Sequence, residues 1–271
     1  MKRVAIHSVP RSGSSWLGQI FNSSPNVVYR FQPLFSYAFK DFLNVKSSKN
    51  DILKFFNEIS QSDDQFLTQA NRIISGEYPK FKKNADFSHV IYKEVRYHHI
   101  LDNLLKNDSE LVVYGLIRSP YAVISSFLNS PREFRKDLGW CENEEWQYAI
   151  KKNKNKDENF FGYNKWKEIF FLFNSLSDKY PQQFKIVWYD KLLSNKIEYT
   201  KEIFSFCDLD FSDQTVNFLN DTNHNVGVYS VFKQKSNDFS FKHKLNKEIV
   251  SKITDDLNHN KIFNLLKKHI K

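Results

Sequence analysis

The first seventeen residues constrain this chain more than any other stretch. Val4-Ala5-Ile6-His7 is a short apolar run. Ser8-Val9-Pro10-Arg11-Ser12-Gly13-Ser14-Ser15 follows as a turn of small and polar residues, and Trp16-Leu17 opens an amphipathic segment. Strand, small-residue loop and helix start, in that order, set backbone N–H groups and a helix N-terminus around a phosphate. Arg11 brings a fixed positive charge into the loop, and the Ser14 and Ser15 hydroxyls add donors. The ATP-type loop needs G-x-x-x-x-G-K-S/T. Here one glycine stands in the loop, no lysine follows it, and Trp16 comes directly after the serines. The segment predicts a phosphate cradle of another kind.

Composition narrows what surrounds it. A chain of 271 residues with 41% hydrophobic content can bury a sizeable core, and one domain is the simplest account. With 26 Phe and 13 Tyr, that core should be rich in phenylalanine. The net charge of +9 points to an anionic ligand, an acidic polymer or a membrane surface, unless lysine is favoured by codon usage alone. Only eight of the 40 basic residues are arginine, and Arg11, Arg30, Arg96 and Arg118 stand at or beside the ends of apolar runs. Arginine offers the rigid fork that suits phosphate and sulfate. The chain starts with no secretory apolar region and holds no apolar stretch of membrane-spanning length. A cytoplasmic protein is expected, with peripheral membrane contact left open. Cys141 and Cys207 supply neither a disulfide framework nor metal-ligand spacing.

Strands are expected near 4–7, 27–31, 87–95, 111–117 and 184–189, and helices over 14–21, 97–106, 121–128 and 191–207. This alternation predicts an α/β fold. A mainly parallel central sheet of about five strands would be covered by helices on both faces, as a P-loop-like three-layer sandwich. Residues 33–82, mostly helical and polar, and 130–165, highly charged, read as insertions around a second substrate's site. Two short helices should close the chain, one with Ile249 and Ile253, the other around 262–266. In such sheets ligands bind at the carboxyl ends of the strands. Those ends carry Ser8 to Gly13, Arg30 to Pro33, Lys93 to Arg96, Arg118 to Pro120, and Tyr189-Asp190.

The second phosphate site is the segment Leu111 to Ser126. A buried strand delivers Arg118 to the sheet edge, Pro120 fits the first turn of the next helix, and Ser126 lies two turns in. Arg118 and Ser126 are placed to hold one phosphate between them. Two such motifs resemble the sulfotransferase superfamily, which moves a sulfuryl group from 3′-phosphoadenosine 5′-phosphosulfate (PAPS). Pro10 to Leu17 is similar to its 5′-phosphosulfate loop, and Arg118 to Ser126 to its 3′-phosphate site. The likeness continues through Lys93-Glu94-Val95-Arg96, Val187 to Leu193, and Ile203 to Leu209. Phe31-Gln32-Pro33-Leu34 and Lys93 to Arg96 look more like the carbohydrate branch than the phenol and steroid branch.

The resemblance implies roles residue by residue. Arg11, Ser12, Gly13, Ser14 and Ser15 would hold the 5′-phosphosulfate and Trp16 would pack near the adenine. Arg118 and Ser126 would bind the 3′-phosphate, with Tyr189 beside the nucleotide. Lys93 would touch the transferring group or the leaving oxygen. Lys233, within Ser230-Val231-Phe232-Lys233-Gln234-Lys235, would belong to a basic loop over the nucleotide. The implied reaction takes PAPS as co-substrate, needs no metal, and sulfates a hydroxyl, most readily on a sugar or glycoconjugate.

The base that takes the hydroxyl proton is left open. Carbohydrate-type relatives often carry Glu before the Pro of Phe-x-Pro, where this chain has Gln32. Glu94 comes first by position, unless it pairs with Lys93 or Arg96. His98 and His99 follow, and His7 sits where the first strand meets the loop. Competing functions are a P-loop-like kinase or nucleotidase, for which the loop lysine and a metal-binding Asp are missing, and a catalytically silent nucleotide-binding relative. An RNA-binding protein is the third, but its signatures are absent and the basic residues form no stripe.

Overall fold

The computed structural model describes residues 1–156, 158–221 and 244–259, together with 264 and 266. Five strands form one sheet, with every neighbouring pair parallel: β1 (Lys2–His7), β2 (Val27–Phe31), β3 (His89–Glu94), β4 (Leu111–Ile117) and β5 (Phe184–Trp188). Their order is β2-β3-β1-β4-β5. The helices are α1 (Ser14–Asn22), α2 (Lys49–Gln61), α3 (Gln65–Thr68), α4 (Ala70–Ile74), α5 (Leu101–Asn107), α6 (Pro120–Leu128) and α7 (Glu142–Tyr148). They continue with α8 (Ile150–Asn153), α9 (Tyr163–Lys179), α10 (Tyr189–Ser194), α11 (Lys196–Phe206), α12 (Asp213–Asn220) and α13 (Lys247–His259). No described helix is long and apolar enough to cross a membrane.

Burial along the strands follows their place in the sheet. Every residue of β3 and β4 is buried, whereas the edge strands β2 and β5 are partly exposed. Strands covered on both faces read as continuous apolar runs, which is why Leu111–Ile117 was visible in the sequence. One face packs Ala5, Val90, Tyr92 and Val113 against α2, α5, α6, α9 and α13. The other packs Val4, Ile6, Ile91 and Tyr114 against α1, α11 and α12. Phenylalanine is concentrated in the first layer, with Phe55, Phe56, Phe127, Phe170, Phe173 and Phe184, whereas the second holds Phe21 and Phe204 among leucine, tyrosine and β-branched residues.

Successive strand residues point to opposite faces, so register decides which functional side chains can meet. Lys93 follows Ile91 and faces the α1 layer, while Glu94 follows Tyr92 into the α2 and α9 layer. In the ladder, Lys93 lies opposite Ile6 and Phe31, and Glu94 lies opposite His7.

Several sequence expectations are corrected. The helix expected over 97–106 is interrupted. Tyr97 is left-handed (φ 57°), His98–Ile100 is a 3-10 turn, and α5 begins only at Leu101. The helix expected over 191–207 is two helices separated at Asn195, whose backbone (φ −137°, ψ 61°) cannot continue a helix. Tyr189 opens α10 and does not end β5. In 33–82 helix is confined to Pro33–Phe35, α2, α3 and α4. The first tail helix is α13, with Ile249, Ile253 and Leu257 buried. The second tail helix falls mostly, and the basic loop with Lys233 entirely, outside the described residues.

Candidate functional site

The loop between β1 and α1 carries two left-handed residues, Arg11 (φ 71°) and Gly13 (φ 92°). Loop backbone of this kind forms concavities that gather N–H groups. Gly13 caps α1 without any side-chain cap, and its carbonyl accepts from the N–H of Trp16 (3.0 Å) and Leu17 (3.2 Å). The N–H groups of Ser14 and Ser15 belong to the first turn, where no intrahelical acceptor exists. A Cβ added at Gly13 would lie 2.4 Å from the Tyr189 ring. Glycine is therefore required by space as well as by φ.

Arg11 joins the two segments expected to bind phosphate. Its Nε donates to Ser126 Oγ (3.1 Å), and Arg118 donates to the Arg11 carbonyl (2.8 Å). The Arg118 carbonyl accepts from Trp166 Nε1 (3.0 Å), which ties the end of β4 to α9. The Arg118 guanidinium lies over the Tyr189 ring at 4.7 Å, and Trp16 meets that ring edge-on at 5.9 Å. Tyr189 thus supports Gly13, Trp16 and Arg118 together. Its own support comes from the start of α10, where the Trp188 N–H donates to Tyr199 Oη (3.1 Å).

At the end of β3, the Lys93 ammonium rests on the Phe31 ring at 4.3 Å. No hydrogen bond or ion pair holds it among the described residues, and burial pushes its pKa down. On the opposite face Glu94 is fully buried. Its Oε1 accepts from the Leu34 N–H (2.9 Å), while Oε2 has no partner. Burial raises its carboxyl well above the usual carboxylate range, against the pull of the nearby Lys93 charge. Pairing of Glu94 with Lys93 or Arg96, the structural alternative at the sequence level, is not what holds it.

Unpartnered buried polar atoms concentrate at this sheet edge. Ser8 Oγ and Ser12 Oγ follow β1, Gln32 Oε1 follows β2, Glu94 Oε2 ends β3 and Ser119 Oγ follows β4. Leaving such a group unsatisfied costs about 1–3 kcal/mol, so each is a natural acceptor or donor for a polar ligand. Ser12 and Ser119 beside Arg11 and Arg118 fit a phosphorylated group, and Gln32 and Glu94 fit a hydroxyl.

His7, opposite Glu94 in the ladder, pairs with His98 in the buried layer that Glu94 also enters. His7 Nδ1 is 3.0 Å from His98 Nδ1, and His7 Nε2 is 3.3 Å from Tyr92 Oη. Both rings are buried, and His98 packs edge-on against Phe160 at 4.5 Å. Burial pushes His7 down from 6.5 to about 3 and His98 also well below its ordinary value. Of the residues expected to be catalytic, Lys93 and Glu94 end at the strand edge, whereas His98 lies in the core layer beside α9. His99 is exposed. Arg30 also leaves the expected site: its Nε donates to the Ile59 carbonyl (2.7 Å), and Nη2 to those of Ser60 and Ser62 (both 2.9 Å).

Sequence reading overlooked an aromatic row. Phe66 meets Phe31 edge-on at 5.5 Å and lies 6.2 Å from Phe35. It also overlooked Asn159, whose Oδ1 accepts from Arg96 Nε (3.2 Å). Phe35 was signalled by its place directly after Phe31-Gln32-Pro33-Leu34, but Phe66 and Asn159 stand in segments with no local pattern.

A sulfotransferase domain family matches residues 1–265. Among solved structures, mouse sulfotransferase SULT7A1 complexed with PAP is similar over 99% of this chain and 89% of that chain, with a TM-score of 0.54 and 12% identity. A sulfotransferase from Alicyclobacillus acidocaldarius is similar over 81% of this chain and 90% of that one, with a TM-score of 0.50 and 11% identity. No curated protein matches the chain by sequence. Likeness at these identities shows a shared fold, and the family match covers nearly the whole length. This chain belongs to the sulfotransferase family.

Proposed function

We propose that the protein transfers a sulfuryl group from PAPS to a hydroxyl on a sugar or glycoconjugate. The observation that carries the donor half is the meeting of the two phosphate motifs through Arg11, whose side chain reaches Ser126 and whose carbonyl receives Arg118. Two anion sites that close together suit one adenosine bearing two phosphate groups. Arg11, Ser12, Gly13, Ser14 and Ser15 would bind the 5′-phosphosulfate, Arg118 and Ser126 the 3′-phosphate, and Trp16 and Tyr189 the nucleoside. Lys233, outside the described residues, keeps its proposed place in a loop over the nucleotide. Cys141 and Cys207 are both free, in keeping with a cytoplasmic setting.

In the reaction the acceptor oxygen attacks sulfur as the sulfur–phosphate oxygen bond breaks, and the hydroxyl proton passes to a base. Lys93 would stabilise charge growing on the leaving oxygen. Its ammonium is already stripped of water, so little reorganisation is needed when that charge appears. Glu94 Oε2, buried and unpartnered, is the proposed base, and its raised pKa brings it closer to neutrality where general bases work best. Gln32 Oε1 would accept a neighbouring hydroxyl and orient the acceptor. The exposed faces of Phe35 and Phe66 support the sugar half, since ring faces pack well on aromatic side chains.

Calorimetric titration with adenosine 3′,5′-bisphosphate tests the donor half. Wild type should bind, and Arg118→Ala and Ser126→Ala should each weaken binding, the arginine variant by about tenfold or more. Absence of wild-type binding sinks the reading. Equal binding by both variants removes only the 3′-phosphate assignment. Glu94→Gln should keep bisphosphate affinity and lose turnover. For wild type, kcat/KM should rise with pH through an inflection above the ordinary carboxylate value of about 4.3, because the base must be deprotonated.

A further inference from the structure

Arg96 stands two residues past Glu94 and ties together the two segments that flank the end of β3. Its guanidinium stacks on Phe35 at 4.1 Å, and its Nε donates to Asn159 Oδ1. Phe35 comes from the segment after β2. Asn159 comes from the segment before α9, where Asn159 Nδ2 donates to the carbonyl of the buried Asn153 (3.1 Å) and Asn153 is itself bonded to Phe161 in both directions. A guanidinium has five N–H donors, and one of Arg96's is used. The other four find no acceptor among the described residues, and no carboxylate forms an ion pair with it there. The stack and the hydrogen bond fix the plane of the fork while leaving its outer edge to a ligand.

The aromatic row sets the distance partner for that fork. Phe31 carries the Lys93 ammonium, Phe66 touches both Phe31 and Phe35, and Phe35 carries Arg96. Phe35 is 46% exposed and Phe66 37%, so the middle and far end of the row stay open between two cations. A ligand lying along it would present a ring to Phe66 and Phe35, a hydroxyl to the strand end that carries Lys93, and a negative group to Arg96. A planar fork with adjacent free donors matches a planar carboxylate by two parallel hydrogen bonds.

Resting on the sulfotransferase reading above, we infer that Arg96 is the specificity-determining residue of the acceptor site and selects a hydroxylated ring that carries a carboxylate, as in an acidic sugar. The probes are phenyl glucuronide and phenyl glucoside, which differ in the carboxylate, each titrated into enzyme saturated with adenosine 3′,5′-bisphosphate. Wild type should bind the glucuronide about tenfold or more tightly than the glucoside, the scale of one charge-assisted hydrogen-bond pair. In Arg96→Ala that ratio should fall close to one, and in Arg96→Lys it should lie between. If Arg96→Ala does not fold, Arg96→Gln gives the same readout. A wild-type ratio near one, or a ratio that survives loss of the guanidinium, overturns the inference and leaves the donor reading intact. Failure of the bisphosphate to bind wild type overturns the donor reading itself and the inference with it.

Discussion

Gly13 shows how closely the loop is fitted to its support. Its φ of 92° is a conformation that side chains other than glycine's adopt at a cost of about 1–2 kcal/mol, and its Cα hydrogen already faces the Tyr189 ring. Gly13→Ala should lower stability by about that amount or more, read as a depressed thermal midpoint. It should also weaken bisphosphate binding, because moving Tyr189 moves the surface beneath Trp16 and Arg118. A variant with unchanged midpoint and affinity would show that the ring gives way freely. The sequence exposed this glycine, with so few others in the chain, as a loop residue. Its contact with Tyr189, 176 positions on, follows only from where α10 begins.

At the scale of elements, the cations that drew notice in the sequence divide into two kinds. Arg11, Arg96 and Arg118 serve the sheet edge, but Arg30 turns toward α2 and caps its last turn through three carbonyl groups. Lys83 does the same for the end of α1, donating to the carbonyls of Asn22, Ser24 and Val27. Cations at a helix C-terminus satisfy orphan carbonyls and oppose the helix dipole. Arg30→Met should therefore cost about 2 kcal/mol in urea unfolding while leaving bisphosphate affinity unchanged. Loss of affinity in that variant would return Arg30 to the binding site. The start of α2 was expected only as part of a helical 33–82 region, although Ser48 and Asp51 form a local capping box there. The break at Tyr97 was not, because nothing nearby in sequence announces a left-handed tyrosine.

For the whole molecule, the buried His7 and His98 make stability depend on acid. Between its ordinary value of 6.5 and about 3, His7 would be protonated in the unfolded chain and neutral in the folded one. The unfolded state then binds more protons, so stability falls as pH drops through that window. Glu94 opposes this over part of the range, since its raised pKa makes the folded state bind the extra proton there. The clean measurement is the difference between wild type and His7→Gln in urea unfolding. The wild-type advantage at neutral pH should shrink below pH 6.5, at a rate approaching about 1.4 kcal/mol per pH unit. A difference that stays constant with pH would mean that His7 is protonated in the fold.

The sequence by itself determined the sheet, because strands covered on both faces carry apolar runs, unbroken in β4 and along Val90–Tyr92 of β3, that stand out between turn and helix signals. It also displayed two motifs of the kind that suit a phosphate, because such signals are local: a loop, a helix start, an arginine at a strand end. Only the tertiary structure decided that Arg11 links these motifs, that Lys93 and Glu94 face opposite layers, and that the histidines are core residues. Only it built the row from Lys93 through Phe31, Phe66 and Phe35 to Arg96. That row is assembled from segments far apart in the chain, brought together at the ends of β2 and β3. Contacts of that kind leave no spacing for a sequence to display.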